Sequence, residues 1–167
     1  WAHEHFSSKP DMIAFGKKTQ VCGMLANSRV DDVEKNVFSE SSRINSTFGG
    51  NLTDMVRFQL ILEIITNENL LDNAREMGNS LLKGLQDLTE EFPAFVTNAR
   101  GLGLFAAFDL PSPTERDKLI SILLENNLII LPSGDKSVRF RPHLNVTEED
   151  LNLALEIIHT SLRSVLN

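Results

Sequence analysis

Three features are scarce in this sequence of 167 residues, and each scarcity excludes a class of protein. A single cysteine, Cys22, leaves no internal disulfide, which is typical of a reducing compartment such as the cytoplasm. The 16 basic residues are outnumbered by 23 acidic ones, and the net charge of −7 argues against a nucleic-acid or anionic-membrane surface. Neither an apolar run near the ~20 residues that span a bilayer nor a signal-peptide pattern is present.

The residues that are present predict an α/β protein. Apolar residues make up 41% of the chain, enough for a sizeable core. Helical periodicity predicts four helices, over residues 51–67, 67–92, 114–126 and 147–165. Short apolar runs predict strands at residues 12–15, 21–26 and 128–131, and two more that meet at a tight turn near residues 101–103. We expect Thr114 to cap the third helix, Pro132 to begin a turn and Cys22 to be a buried structural thiol.

Residues 10–20, PDMIAFGKKTQ, end a predicted strand in a glycine and two lysines. A strand end holds a side chain rigidly at the edge of a cleft, which is where α/β sheets place ligands. A partly desolvated lysine there loses its proton more easily and becomes a nucleophile toward aldehydes such as pyridoxal phosphate. The alternative is that both lysines are solvated surface charge.

Residues 39–51 are rich in Ser, Asn and Gly and predict a loop. Thr47 offers a hydroxyl, and Gly49 and Gly50 allow backbone N–H groups to approach an anion closely. This composition therefore suits a phosphate site, although loops of this kind often only connect two elements.

The segment VRFRP at residues 138–142 predicts a strand with Arg139 and Arg141 on one face. A guanidinium binds a carboxylate through two parallel hydrogen bonds, so this face suits a carboxylate substrate. The alternative is that each arginine pairs with a nearby Asp or Glu.

Four segments, in this order and spacing, resemble the C-terminal part of the class III pyridoxal-phosphate aminotransferases. They are PDMIAFGK at 10–17, RINSTFGGN at 43–51, RGLG at 100–103 and VRFRP at 138–142. The resemblance implies part of a fold-type I transferase: the end of the large cofactor-binding domain over residues 1–66 and a small α+β domain over residues 67–167. It also implies that the chain is the C-terminal part of a longer enzyme, because the family's ring-facing aspartate would lie upstream.

The resemblance also implies roles for individual residues. The family's cofactor lysine follows Pro-Asp, four residues and a Gly or Ser, which matches Lys17, and a phosphate-binding threonine follows 30 positions later, which matches Thr47. Lys18 misses both spacings by one and remains the alternate. In the family this threonine reaches the cofactor of the partner subunit, which implies a homodimer with shared active sites. Arg139 is implied as the carboxylate clamp with Arg141 as its support, and no metal is implied.

Within the family, the segments are most similar to those of members that act on the terminal amino group of L-lysine. The resemblance thus implies transfer of that group to 2-oxoglutarate, giving 2-aminoadipate 6-semialdehyde and glutamate. Two alternatives remain open: an enzyme for 4-aminobutyrate or another ω-amino acid, and a non-catalytic α/β module or inactive fragment.

Overall fold

The structure is a computed structural model that describes residues 1–44 and 46–166, without the side chains of Lys18 and Leu166. The chain forms two compact units, Trp1–Ile65 and Thr66–Asn167. The division lies next to residue 66, where the sequence predicts a domain boundary. Among the described residues, no helix combines the length and the apolar character that crossing a membrane requires.

The first unit is built on an antiparallel hairpin of two strands, β1 (Met12–Phe15) and β2 (Gly23–Ala26). Irregular segments and short 3-10 turns follow, and the unit closes with the helix α1 (Leu52–Asn67). The two strands and the helix are predicted from the sequence, whereas the pairing of the strands is not. The apolar residues of α1 are largely exposed in this chain, with Leu52 at 76% and Val56 at 58%.

The second unit packs three helices against one four-stranded antiparallel sheet. The helices are α2 (Leu70–Glu91), α3 (Pro113–Glu125) and α4 (Glu148–Leu166). The strands are β3 (Thr97–Leu102), β4 (Phe105–Asp109), β5 (Leu131–Ser133) and β6 (Ser137–Phe140). Their order in the sheet is β3-β4-β6-β5, so β4 and β6 are central.

Alternation along the central strands separates the core from the opposite face of the sheet. Phe108 and Val138 are register partners, and both are fully buried in a core that also holds Leu81, Leu85 and Ile158. The residues that alternate with these along each strand, such as Ala107 and Arg139, are directed to the face away from the helices. We call this the outer face of the sheet.

The sequence predicts how α3 and α4 begin, and the structure confirms one of these two predictions. The predicted capping box at the start of α4 is confirmed: the Asp150 N–H donates to Thr147 Oγ1 at 3.2 Å, and the Thr147 N–H donates to the Asp150 carboxylate at 3.1 Å. At the start of α3 the prediction is wrong, because Ser112 and not Thr114 is the cap, accepting from the Glu115 N–H at 3.3 Å. Pro113 then occupies the first turn, where its missing N–H costs nothing.

The strand predicted at residues 128–131 is displaced toward the C-terminus, to Leu131–Ser133. Asn127 has a left-handed φ of 64°, and the Leu128 N–H donates back to the Leu123 carbonyl at 2.8 Å. This closure of α3 uses the residues that the apolar run assigned to the strand, and it leaves Ile129 80% exposed. Pro132 consequently lies in β5, and the turn that it was expected to begin is made instead around Gly134, which has a φ of 52°.

The predicted pairing of Arg139 and Arg141 on one strand face is wrong for Arg141. Strand β6 ends at Phe140, and Arg141 is an exposed residue beyond it. The next residue, Pro142, has no N–H to donate to a neighbouring strand, so the ladder is not continued.

The tight turn predicted in RGLG is confirmed, since β3 and β4 form a hairpin around Gly103, which has a φ of 54°. A Cβ on Gly78 of α2 would lie 2.4–2.6 Å from backbone atoms of Gly103, so the helix packs directly on this turn. A second glycine of α2, Gly84, would meet only the side chain of Leu155.

We expect Gly78→Ala to destabilise the chain by about 1–3 kcal/mol, because the new methyl group collides with backbone that cannot rotate away. Gly84→Ala is the matched control, and its cost should be below about 1 kcal/mol because the Leu155 side chain can change rotamer. Urea unfolding of both variants measures the difference. Equal stability of the two variants would contradict the close packing of α2 on the turn.

Candidate active site

Lys17 lies two residues after the end of strand β1, beyond Gly16, and begins a short 3-10 turn, Lys17–Thr19. Its backbone has a left-handed φ of 55°, which is uncommon for a residue with a side chain. The side chain is exposed and forms no ion pair with any carboxylate in the described part of the chain. The hairpin thus presents a free amine from a constrained backbone position.

Phe15 anchors the strand end beside this lysine. Its ring covers Gly23, its register partner on β2, so closely that a Cβ there would lie 2.2 Å from a ring carbon. The same ring stacks on Phe58 of α1 at a centroid distance of 5.0 Å and packs against Trp1 at 5.4 Å. The absence of a side chain at Gly23 is therefore what allows the ring to join β1 to α1.

Cys22 is exposed, so the prediction of a buried structural thiol is wrong. It lies just before β2, with its Sγ atom 3.0 Å from where a Cβ on Gly16 would be. The neighbouring Val21 is the buried residue of this segment.

The loop that contains Thr47 forms one wall of a pocket of ≈ 540 Å³. Residues 20–22 form the facing wall, and the start of α1 contributes Asp54 and Met55. Lys17 is not among the lining residues in the described part of the chain. The structure therefore brings Thr47 near the Cys22 segment without combining it with Lys17 in one cavity.

The pocket loop has the features that an anion requires. Thr47 is exposed, and Gly50 has a φ of 78° with no atom within 4 Å of its Cβ position. The loop is held from inside by the Gly49 N–H, which donates to the Ser46 carbonyl at 3.1 Å. An accessible hydroxyl beside open glycine backbone suits a phosphate group.

Arg139 lies in the second unit, on the outer face of strand β6 between Ala107 of β4 and Leu131 of β5. The side chain is half-buried, and within the described residues it makes no ion pair or hydrogen bond. The described side chains therefore do not support the alternative that Arg139 pairs with a nearby Asp or Glu. A half-buried guanidinium without a carboxylate partner can bind the carboxylate of a ligand.

Arg100, in contrast, donates hydrogen bonds to Asn98, Asp109 and Ser137. Its Nη1 atom donates to Asp109 Oδ1 at 2.9 Å, and its Nη2 atom donates to Ser137 Oγ at 3.0 Å. Burial raises the pKa of Asp109, but hydrogen bonds from Ser137, Asn98 and Arg100 outweigh burial and leave the pKa of this carboxyl below its ordinary value. Asp109 is therefore a carboxylate at neutral pH.

Sequence reasoning did not single out Asp109 or Ser137. They lie 28 positions apart, and only the β4–β6 register makes them partners. The one available signal was a polar residue at the end of each apolar strand, in FAAFD and in SVRF.

A sequence profile described as aminotransferase class-III matches residues 1–162. The chain belongs to the class-III aminotransferase family. Its α/β fold matches solved aminotransferase structures and is consistent with part of a fold-type I transferase.

Individual class-III aminotransferases are similar over nearly the whole chain. The "L-lysine-epsilon aminotransferase" of Amycolatopsis lactamdurans is 48% identical over 165 residues, which are 98% of this chain and 37% of that protein. The structure of "Lysine aminotransferase from M. tuberculosis in the internal aldimine form" matches with a TM-score of 0.93 at 47% identity, over 99% of this chain and 38% of that one. The mitochondrial "4-aminobutyrate aminotransferase" of Rattus norvegicus is 35% identical over 161 residues, which are 94% of this chain and 31% of that protein. This chain thus spans about a third of the length of these relatives.

We expect Gly23→Ala to displace the Phe15 ring and change the environment of Trp1, because the added methyl group occupies the position of the ring. Trp1 is the only tryptophan of the chain, so its fluorescence emission reports this change directly. Gly84→Ala, in the second unit, is the control and should leave the emission unchanged. An unaltered spectrum in Gly23→Ala would contradict the aromatic anchor.

Proposed function

We propose that this chain is the C-terminal part of a pyridoxal-phosphate-dependent aminotransferase that transfers the terminal amino group of L-lysine to 2-oxoglutarate. The products are 2-aminoadipate 6-semialdehyde and glutamate. The observation that carries the proposal is that, among the described residues, neither Lys17 nor Arg139 pairs with a carboxylate, which leaves an amine for a cofactor and a guanidinium for a substrate carboxylate. Residues 1–66 supply the end of the large domain and residues 67–167 the small domain.

The residues present fit pyridoxal phosphate. Lys17 provides an exposed amine for the aldehyde, and the Thr47 loop provides a hydroxyl and open backbone for a phosphate. When bound, the cofactor supplies an electron-withdrawing ring that stabilises negative charge on the substrate carbon. Because Lys17 does not line the pocket of Thr47, we propose that the loop serves the cofactor of a second subunit, which makes the enzyme a homodimer with shared active sites.

Lys17 and Arg139 then have different tasks. Lys17 would hold the cofactor, and its freed Nζ atom would take a proton from the substrate's terminal carbon and pass it to the cofactor. Arg139 binds a carboxylate of 2-oxoglutarate with two parallel hydrogen bonds, which fixes the orientation of the acceptor. The half-buried position of Arg139 keeps this interaction stronger than it would be in bulk water.

The choice of L-lysine depends on which members of the family have the higher sequence identity to this chain. Identity is 48% to an L-lysine-epsilon aminotransferase and 35% to a 4-aminobutyrate aminotransferase over comparable lengths. This difference supports L-lysine as the amino donor, with 4-aminobutyrate as the second candidate.

Lys17→Ala in the enzyme expressed from the complete gene should lower kcat by about 10²–10⁴-fold, the range for loss of a proton-transferring group. Treatment with pyridoxal phosphate and borohydride should leave a pyridoxyl group on Lys17, located by fragment mass spectrometry. Lys18→Ala is the matched control and should retain both activity and label. A pyridoxyl group on Lys18 would move the assignment by one residue, and an unlabelled dimer would favour a non-catalytic module.

Initial rates with L-lysine and with 4-aminobutyrate, each paired with 2-oxoglutarate, test the substrate. We expect kcat/KM for L-lysine to be at least about tenfold higher, which corresponds to 1.4 kcal/mol of transition-state discrimination. The reverse ranking would transfer the proposal to 4-aminobutyrate while leaving the aminotransferase assignment intact.

A further inference from the structure

The outer face of the sheet in the second unit carries two arginines in one row. The register places Arg100 opposite Ala107 on one side and Arg139 opposite Ala107 on the other. Two strand spacings, roughly 10 Å, therefore separate their backbones. Either guanidinium has the chemistry to bind a carboxylate, so the structure must distinguish between them.

A bulge in β3 determines where Arg100 is directed. Thr97 faces Asp109 while Arg100 faces Ala107, so β3 has one residue more than β4 between the two pairs. The extra residue is accommodated around Asn98, which has a left-handed φ of 55°. Without it, Ala99 would face Ala107 and the side chain of Arg100 would be directed toward the helices.

Asp109 is the centre of the hydrogen-bond network that Arg100 enters. Its Oδ1 atom accepts from Arg100 Nη1 at 2.9 Å and from Ser137 Oγ at 2.6 Å, and its Oδ2 atom accepts from Asn98 Nδ2 at 2.8 Å. Arg100 also donates from Nη1 to the Asn98 carbonyl and from Nη2 to Ser137 Oγ. Asp109 and Ser137 are only 8% and 9% exposed. One buried carboxylate thus joins β3, β4 and β6.

This network acts on the strand that carries Arg139. Ser137 lies two residues before Arg139, so both side chains are on the same face of β6. Ser137 is the register partner of Asp109, and Arg139 is that of Ala107, one pleat further along the same strands. Holding Ser137 against Asp109 therefore fixes the direction of Arg139, whose own side chain has no partner among the described residues.

We propose that Asp109, through Ser137, is a positioning residue for Arg139, and that it commits Arg100 so that Arg139 is the guanidinium left for the substrate carboxylate. The inference rests on the proposed function, because it takes Arg139 as the residue that binds 2-oxoglutarate. It assigns to RGLG and to the end of FAAFD a role in acceptor binding rather than in the chemical step.

Asp109→Asn and Ser137→Ala, made in the enzyme expressed from the complete gene, test the proposal. Each should raise KM for 2-oxoglutarate roughly fivefold, the change expected when one hydrogen bond that orients a residue is lost. KM for L-lysine and kcat should each change less than about twofold, because the chemical step does not involve Arg139. The dissociation constant of glutarate, a dicarboxylate that cannot react, should rise in parallel when measured by calorimetry.

Two matched variants separate positioning from general damage. Ser137→Thr keeps the hydroxyl and should restore KM for 2-oxoglutarate to near its original value. Ser133→Ala removes the hydroxyl of the serine opposite Ser137 on β5. This hydroxyl forms no hydrogen bond among the described residues, so the substitution should change neither KM nor kcat. Ser137→Ala also keeps the test valid if Asp109→Asn does not fold.

The reference variant is Arg139→Gln. If it leaves KM for 2-oxoglutarate unchanged, the clamp role of Arg139 fails and the present inference fails with it. If Arg139→Gln raises KM but Asp109→Asn and Ser137→Ala do not, only the inference is overturned. A rise in KM for both substrates together with a fall in kcat would also overturn it, because that pattern indicates loss of structure.

Discussion

The pairing of β4 with β6 is the constraint on which the rest of the second unit depends. These central strands are buried on one face, where Phe108 meets Val138, and carry the polar residues Asp109, Ser137 and Arg139 on the other. A slip of one residue would carry a guanidinium into the core and a phenylalanine out of it. The apolar face and the buried carboxylate therefore specify the same register, and the orientation of Arg139 follows from both.

In the first unit, aromatic rings fix the position of the strand that precedes Lys17. A two-stranded hairpin is marginal alone, and here one ring gives it a partner by stacking on α1 and covering a glycine. The lysine proposed to hold the cofactor follows that anchored residue by two positions. In both units, a candidate functional side chain is thus placed by a neighbour whose own position is fixed by packing.

Local signals in the sequence were sufficient for most of the helices and strands, while the roles of Lys17, Thr47 and Arg139 stay predictions. The stripe of α2, the capping box of α4 and the hairpin at RGLG depend on residues close together in the chain, so their patterns are legible. The errors have tertiary or competing local causes. Asn127 closes α3 with residues that an apolar run assigned to a strand, and Pro142 ends β6 before Arg141. The partnership of Asp109 with Ser137 arises only from folding, because it joins strands that a helix separates in the chain.

The position of Pro132 has a consequence for how such molecules associate. It occupies β5, one margin of the sheet, where its missing N–H withholds a donor from any additional strand. The opposite margin, β3, is bent by the bulge at Asn98. Neither border of the sheet is therefore a regular template for a strand from another molecule. Both edges of the sheet thus carry an irregularity that disfavours pairing between molecules, and the one in β3 also directs Arg100.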